Sequence, residues 1–286
     1  MTTHTIRLMQ QPDNLVENPE GFSPPVIPIN LARLLPEYFA RAPDDWFVGN
    51  TPTDVETYTM RRSVKRVLAP HITADSAGSI VVFDEERYNL NRSDQSREKR
   101  GRTDHSHRNG VRQLYLACIS VAYQRGIRPR WWDNPRLGVS GRIASDNTAM
   151  FNTAAVTIAA VYPDLSKGKE HFLREVRDHL RLHQKVHPNK DHVLCLTVLG
   201  KQGTLSQWQP APASWIKAAM RLASFEFGVR EFHFWCNTGT SENRMGTLTP
   251  IYEAWFRKHA PALVREFVKG RTPVMVRLGR RFGRVV

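Results

Sequence analysis

Two hydrophobic periods alternate along this chain, most plainly between residues 191 and 278. Residues 192–199 (HVLCLTVL) are a short apolar run of β-formers, and 214–227 (SWIKAAMRLASFEF) carry a helical spacing that stops at Gly228. Residues 230–236 (REFHFWC) alternate as a strand does, with Phe232, Phe234 and Cys236 on one face and Glu231, His233 and Trp235 on the other. Thr249-Pro250 opens a second helix that runs to Gly270, and 273–278 (PVMVRL) reads as a last strand. Strands alternating with helices predict a βαβαβ unit in the C-terminal half and an α/β (or α+β) fold.

The same periods place elements upstream. Asp54 caps a helix over 55–68, 80–83 (IVVF) is a strand, and 111–125 is an amphipathic helix closed by Gly126. A helix over 166–186 puts Phe172, Leu173, Val176 and Leu180 on one stripe, while 145–162 suits either a buried helix or a buried strand. Residues 1–53 hold eight of the eighteen prolines, among them Pro24, Pro25 and Pro28, which favour extended backbone. They read as an acidic, Pro-rich strap on a basic body spanning 54–286, long enough to contact a second copy or a larger assembly.

Charge changes the picture most. The 286 residues carry 41 Lys and Arg against 27 Asp and Glu, a net of +14. The first 60 residues hold three arginines and eight acids, so the excess belongs to the rest of the chain. Such an asymmetry points to a polyanionic partner, and nucleic acid, DNA or RNA, is the one expected. Cys118, Cys195 and Cys236 each sit in an apolar run without a CxxC pair, which suits core thiols in a reducing compartment. No basic segment followed by an apolar core opens the chain, and its longest apolar run is far too short for a membrane span. A cytoplasmic protein without membrane contact is expected, and no motif calls for a cofactor.

The basic residues cluster in four places. Arg61, Arg62, Lys65 and Arg66 share one face of the 55–68 helix. A flexible basic loop at 86–112 includes Arg97, Lys99, Arg100 and Arg102, the kind of density that neutralises phosphates. Residues 126–142 interleave Arg128 and Arg130 with Trp131 and Trp132, which suits guanidinium–phosphate and ring–base contacts. The C-terminal tail adds Arg277, Arg280, Arg281 and Arg284 without an acid. The loops after the strands at 192–199 and 230–236 bring Lys201 and, on the second, Thr240, Ser241 and Arg244. These form a candidate phosphate pocket, though neither loop carries a nucleotide-binding motif.

Histidines offer a weaker chemistry. His179 and His183 lie one helical turn apart, yet no carboxylate stands between them, and a place near a helix C-terminus on the surface accounts for them better. His105-Ser106-His107 lacks the bulky apolar residue that would seat a metal-binding pair on a strand. An apolar strand at 193–198, then Glu231-Phe232-His233 and a helical Tyr252, is an order that resembles rolling-circle replication initiators of the HUH class. That resemblance implies a metal held by Glu231 and His233 and a Tyr252 nucleophile. Simple alternation of the 230–236 strand explains the same residues by packing, and that is the preferred reading.

Three functions follow from the sequence. The first is nucleic-acid binding through the phosphate backbone. The second is a metal-dependent nuclease or nicking enzyme, and the third a structural subunit of a nucleoprotein assembly.

Overall fold

A computed structural model describes residues 3–10, 16–30, 34–35, 53–70, 80–84, 104–133, 156–186, 188, 191–201, 208–236 and 242–270. Seven strands are hydrogen-bonded side by side and close on themselves: β1 (Thr5–Met9), β2 (Ser23–Asn30), β3 (Ile80–Asp84), β4 (Arg128–Asp133), β5 (Val156–Val161), β6 (Asp191–Leu196) and β9 (Glu231–Trp235). Every neighbouring pair is parallel, including the closing pair of β1 with β9. The α/β expectation is correct, and the sheet is a closed barrel.

Parallel staves need return connections on the outside. α1 (Asp54–Leu68) returns the chain from β2 to β3, and α2 (Asp104–Gln124) from β3 to β4. α3 (Gly168–Val186) joins β5 to β6, α4 (Ala213–Phe227) leads into β9, and α5 (Glu242–Leu263) follows it, ending in a π-helical turn at Val264–Val268. Between β6 and α4 a small antiparallel hairpin, β7 (Leu199–Lys201) with β8 (Trp208–Pro210), stands beyond the barrel. Gly200 in that hairpin has no room for a side chain, because a Cβ there would meet Leu165 Cγ at 2.5 Å.

Strand alternation divides the apolar residues into layers. Met9, Val26, Ile80, Val82, Val193 and Cys195 pack together inside the barrel with Trp235 against them. Outward-facing Val81 and Phe83 pack with Met60, Val64 and Leu68 of α1 and Leu114 and Cys118 of α2. On the other flank Ile6, Leu8, Leu194, Leu196, Phe232 and Phe234 pack against α3, α4 and α5. The alternation expected for 230–236 is therefore present, with one apolar face outward and Glu231, His233 and Trp235 on the other.

Several expectations are revised. The acidic strap does not lie apart from the body at residues 5–9 and 23–30, which are staves of the barrel. Prolines are tolerated in β2 because they fall where the ladder lacks a partner. Pro25 precedes the first pair with β3 (Val26 with Ile80), Pro28 lies beyond the last pair with β1 (Met9 with Val26), and Pro24 falls in the register shift between Arg7 and Met9. Thr53, not Asp54, caps α1, in a reciprocal capping box with Glu56. Residues 104–112 of the expected basic loop are the first turns of α2. Residues 156–161 are a strand. α5 begins at Glu242 and runs through Pro250 rather than starting there. The strand expected at 273–278 lies outside the described residues.

Candidate functional site

All seven staves point the same way, so the barrel has two chemically distinct ends. At the C-terminal rim β3 ends on Asp84 and the neighbouring β4 on Asp133. Asp84 is in register with Asn30 of β2, and Asp133 with Ala159 of β5. Because Phe83 pairs with Trp131, Asp84 is level with Trp132 and Asp133 lies one residue further along. Strand spacing and rise then put the two Cα positions about 6 Å apart. The β7–β8 hairpin raises the rim beyond β6. Beneath it the Thr197 hydroxyl is hydrogen-bonded with the Tyr252 hydroxyl at 3.3 Å and accepts from the Leu199 amide at 3.2 Å. Substrates of parallel barrels are bound and transformed at this end, where the strand-to-helix loops converge.

The interior below is not wholly apolar. Glu231 and His233 project from β9 towards Arg7 of β1 and Arg130 of β4. Arg130 grips the carboxylate with both nitrogens, Nη1 at 2.7 Å from Oε1 and Nη2 at 2.8 Å from Oε2. Arg7 Nε donates to Oε1 at 3.0 Å, and Arg7 Nη1 donates to the Pro24 carbonyl at 2.9 Å. His233 Nε2 lies 2.8 Å from Oε1 and 3.3 Å from Arg130 Nη1. Burial by itself would raise the Glu231 carboxyl. The hydrogen bonds of His233 and Arg130 and the charge of Arg130 outweigh it and hold the group well below the usual carboxylate range. Burial pushes His233 down to about 4 against the pull of Glu231. At neutral pH the imidazole is therefore uncharged and donates Nε2–H to the carboxylate, which leaves Nδ1, fully buried, without a partner.

This arrangement decides what Glu231 and His233 can do. A carboxylate held ionised by two guanidiniums is neither a general acid nor a ready metal ligand. Among the described residues no group of three His, Cys, Asp or Glu side chains is placed to hold a metal ion. Tyr252 is 2% exposed, and burial raises its hydroxyl well above the usual phenol value, so it is not poised as a nucleophile. The nicking-enzyme reading is corrected on these grounds. His179 and His183, expected on the surface, are buried on the inner side of α3, with His183 edge-on to His192 at 6.0 Å.

Among the described residues the sequence-predicted bases are split between the two ends of the barrel. Arg61, Arg62, Lys65 and Arg66 are exposed on α1, whose last turn is at the N-terminal end of the barrel, away from the rim. Arg128 opens β4 at that same end, Arg130 shares the Glu231 carboxylate with Arg7, and Trp131 and Trp132 are positions of a stave flanked by β3 and β5. Lys201 ends β7 on the rim hairpin, and Arg244 belongs to the first turn of α5. Arg97, Lys99, Arg100, Arg102, Thr240, Ser241, Arg277, Arg280, Arg281 and Arg284 lie outside the described residues. Asp84 and Asp133 were passed over in the sequence, although each ends an extended run (IVVFD, RPRWWD), and an acid at the end of a stave is a signal that could have found them. Arg7 was missed because it was counted in the strap.

No protein-family model matches the chain, and no curated protein matches it in sequence. Solved structures do resemble it. Bee venom hyaluronidase in complex with a hyaluronic acid tetramer superposes with a TM-score of 0.59, at 10% identity, over 93% of this chain and 85% of that one. Looser superpositions include a GH18 chitinase from Pseudoalteromonas aurantia and GH26C from a Muricauda species. The first has a TM-score of 0.40 and 12% identity over 84% of this chain and 76% of that one. The second has 0.42 and 9% identity over 90% and 86%. The first likeness shows the fold, a parallel (β/α) barrel. The expectation of a nucleic-acid-binding protein, alone or in a nucleoprotein assembly, is overturned by this likeness.

Proposed function

We propose that this chain is a carbohydrate-processing barrel protein that takes a saccharide at its C-terminal rim, where Asp84 and Asp133, the acids that end β3 and β4, are the candidates for its chemistry. The observation that carries the reading is the closed parallel barrel itself, superposed over most of its length on a hyaluronidase holding a hyaluronic acid tetramer. The rim supports it by placing two acids on adjacent strand ends. Glycoside hydrolysis uses two carboxyl groups about 5–9.5 Å apart, one to protonate the leaving oxygen and the other to attack or to activate water. Strand alternation puts position 84 on the face of Val82 and position 133 on the face of Trp131, opposite faces of the sheet, so each acid is tested on its own. Glu231 is excluded from the pair by the arginines that keep it ionised.

The test is release of new reducing ends from a panel of polysaccharides that includes hyaluronic acid and chitin. Wild-type protein is expected to cleave at least one. Asp84→Asn and Asp133→Asn are each expected to lower the rate by about 100-fold or more without changing thermal stability. A wild-type protein that neither cleaves nor binds any member of the panel would remove the reading. Full activity in either variant would remove that residue's role.

A further inference from the structure

Parallel topology sends every strand start and every helix end to the face opposite the Asp84/Asp133 rim. Bases accumulate there. Lys65 and Arg66 are in the last turn of α1, Lys185 in that of α3, Arg125 just past α2, Arg128 at the start of β4, and Arg230 immediately before β9. Among the described residues the acids at this end include Asp191, which opens β6, Glu226 near the end of α4, engaged by Arg177, and Glu266 in the π-helical turn, engaged by Arg221.

Arg7 and Arg130 reach Glu231, the first residue of β9, at this end of the barrel. Their side chains are 15% and 8% exposed, so they are withdrawn from solvent but not sealed from it. Glu231 alone answers both, and with His233 neutral the cluster keeps one uncompensated positive charge. Arg128 and Arg130 both repel the Arg7 guanidinium, which places all three within electrostatic reach of one another. Among the described residues Arg7 Nη2 and Arg130 Nε have no hydrogen-bond partner. Excess charge withdrawn from water calls for a counter-charge, and guanidinium forks match tetrahedral oxyanions by paired hydrogen bonds.

We propose that the N-terminal mouth of the barrel binds a sulfate- or phosphate-type oxyanion between Arg7, Arg128 and Arg130. The anion is either free or an ester group carried on a sugar. This site is at the far end from the carbohydrate rim and stands whether or not that rim processes a saccharide.

Calorimetric titration of the full-length protein with sodium sulfate, at low ionic strength held constant with sodium chloride, reads the site directly. Saturable binding is expected, with a melting temperature that rises with sulfate but not with matched chloride. Arg128→Gln changes an exposed side chain outside the Glu231 contacts. It is expected to weaken binding roughly tenfold. A second arm uses a monosaccharide 6-sulfate: tighter binding than inorganic sulfate assigns the group to a sulfated sugar, and equal or weaker binding assigns it to the free anion. Absence of saturation with both probes overturns the proposal, as does an Arg128→Gln titration that matches wild type.

Discussion

Glu231→Gln tests the polar network inside the barrel most directly. The substitution keeps the shape of the side chain but removes its charge, and it turns one carboxylate oxygen into a donor facing other donors. Four close contacts depend on that carboxylate: two from Arg130 at 2.7 and 2.8 Å, one from Arg7 at 3.0 Å and one with His233 at 2.8 Å. Removing one partner of a buried ion pair costs about 3–5 kcal/mol, chiefly because the remaining charge is stranded. Here two guanidiniums are stranded together. Glu231 is 17% exposed, however, and screening by solvent pulls the expected loss to the lower end, about 3 kcal/mol, or more than a hundredfold in the folding equilibrium. Urea unfolding followed by tryptophan fluorescence gives the value. The pair Glu231→Gln and Arg130→Met completes a double-mutant cycle. If stranded charge causes the loss, Arg130→Met relieves part of it and the cycle gives a coupling of about 2 kcal/mol. A Glu231→Gln protein within about 0.5 kcal/mol of wild type would refute the reasoning, since it would mean that water already satisfies both arginines.

Two further outcomes follow from the same structure. His233 titrates at about 4 in the folded protein against an ordinary value of 6.5, so the unfolded chain binds the extra proton first. Stability should fall as pH drops from about 6.5 towards 4, by roughly 3 kcal/mol over that window. Because the folded Glu231 carboxyl is depressed, its own contribution is lost only on further acidification below the ordinary carboxylate range. Unfolding free energies that stay flat between pH 7 and 4 would contradict the buried placement of His233. Gly21 has φ +84°, and a Cβ there would lie 2.7 Å from Val264 Cγ1, so Gly21→Ala is expected to destabilise by about 2 kcal/mol. An unchanged melting curve would show that the segment before β2 is not clamped against the π-helical turn.

What could be read from the sequence was whatever local periodicity carries. β6, α4 and β9 were legible because apolar runs and helical spacing alternate with clear stops, and Gly228 does adopt the left-handed conformation that ends α4. The inward and outward faces of β9 were legible for the same reason. β1 and β2 were not, because three prolines in eight residues argue against a stave unless the register of the neighbours is known. Charge misled for a related reason. A count of bases does not reveal that Arg7 and Arg130 are turned into a barrel, where one carboxylate 101 residues beyond Arg130 answers both. His179 and His183 were placed on the surface by a dipole argument, while their positions on the stripe with Val176 and Leu180 put them in the interior. The rim acids were missed because a lone aspartate after a strand looks like any turn until closure of the sheet makes it a strand end at a converging mouth.

The barrel is closed by β1 against β9, with Thr5 opposite Glu231. That seam joins parts of the chain that leave the ribosome far apart in time. Until residue 235 has been made, β1 exposes one unpaired edge and Arg7 has no carboxylate to meet. Every intermediate on the way is an open, curled sheet with two free edges and an unneutralised cation. Contacts of such long sequence separation are closed late and slowly. Closing the seam joins its hydrogen bonds and the neutralisation of Arg7 in one event, and a sheet left open there offers its edges to wrong pairing.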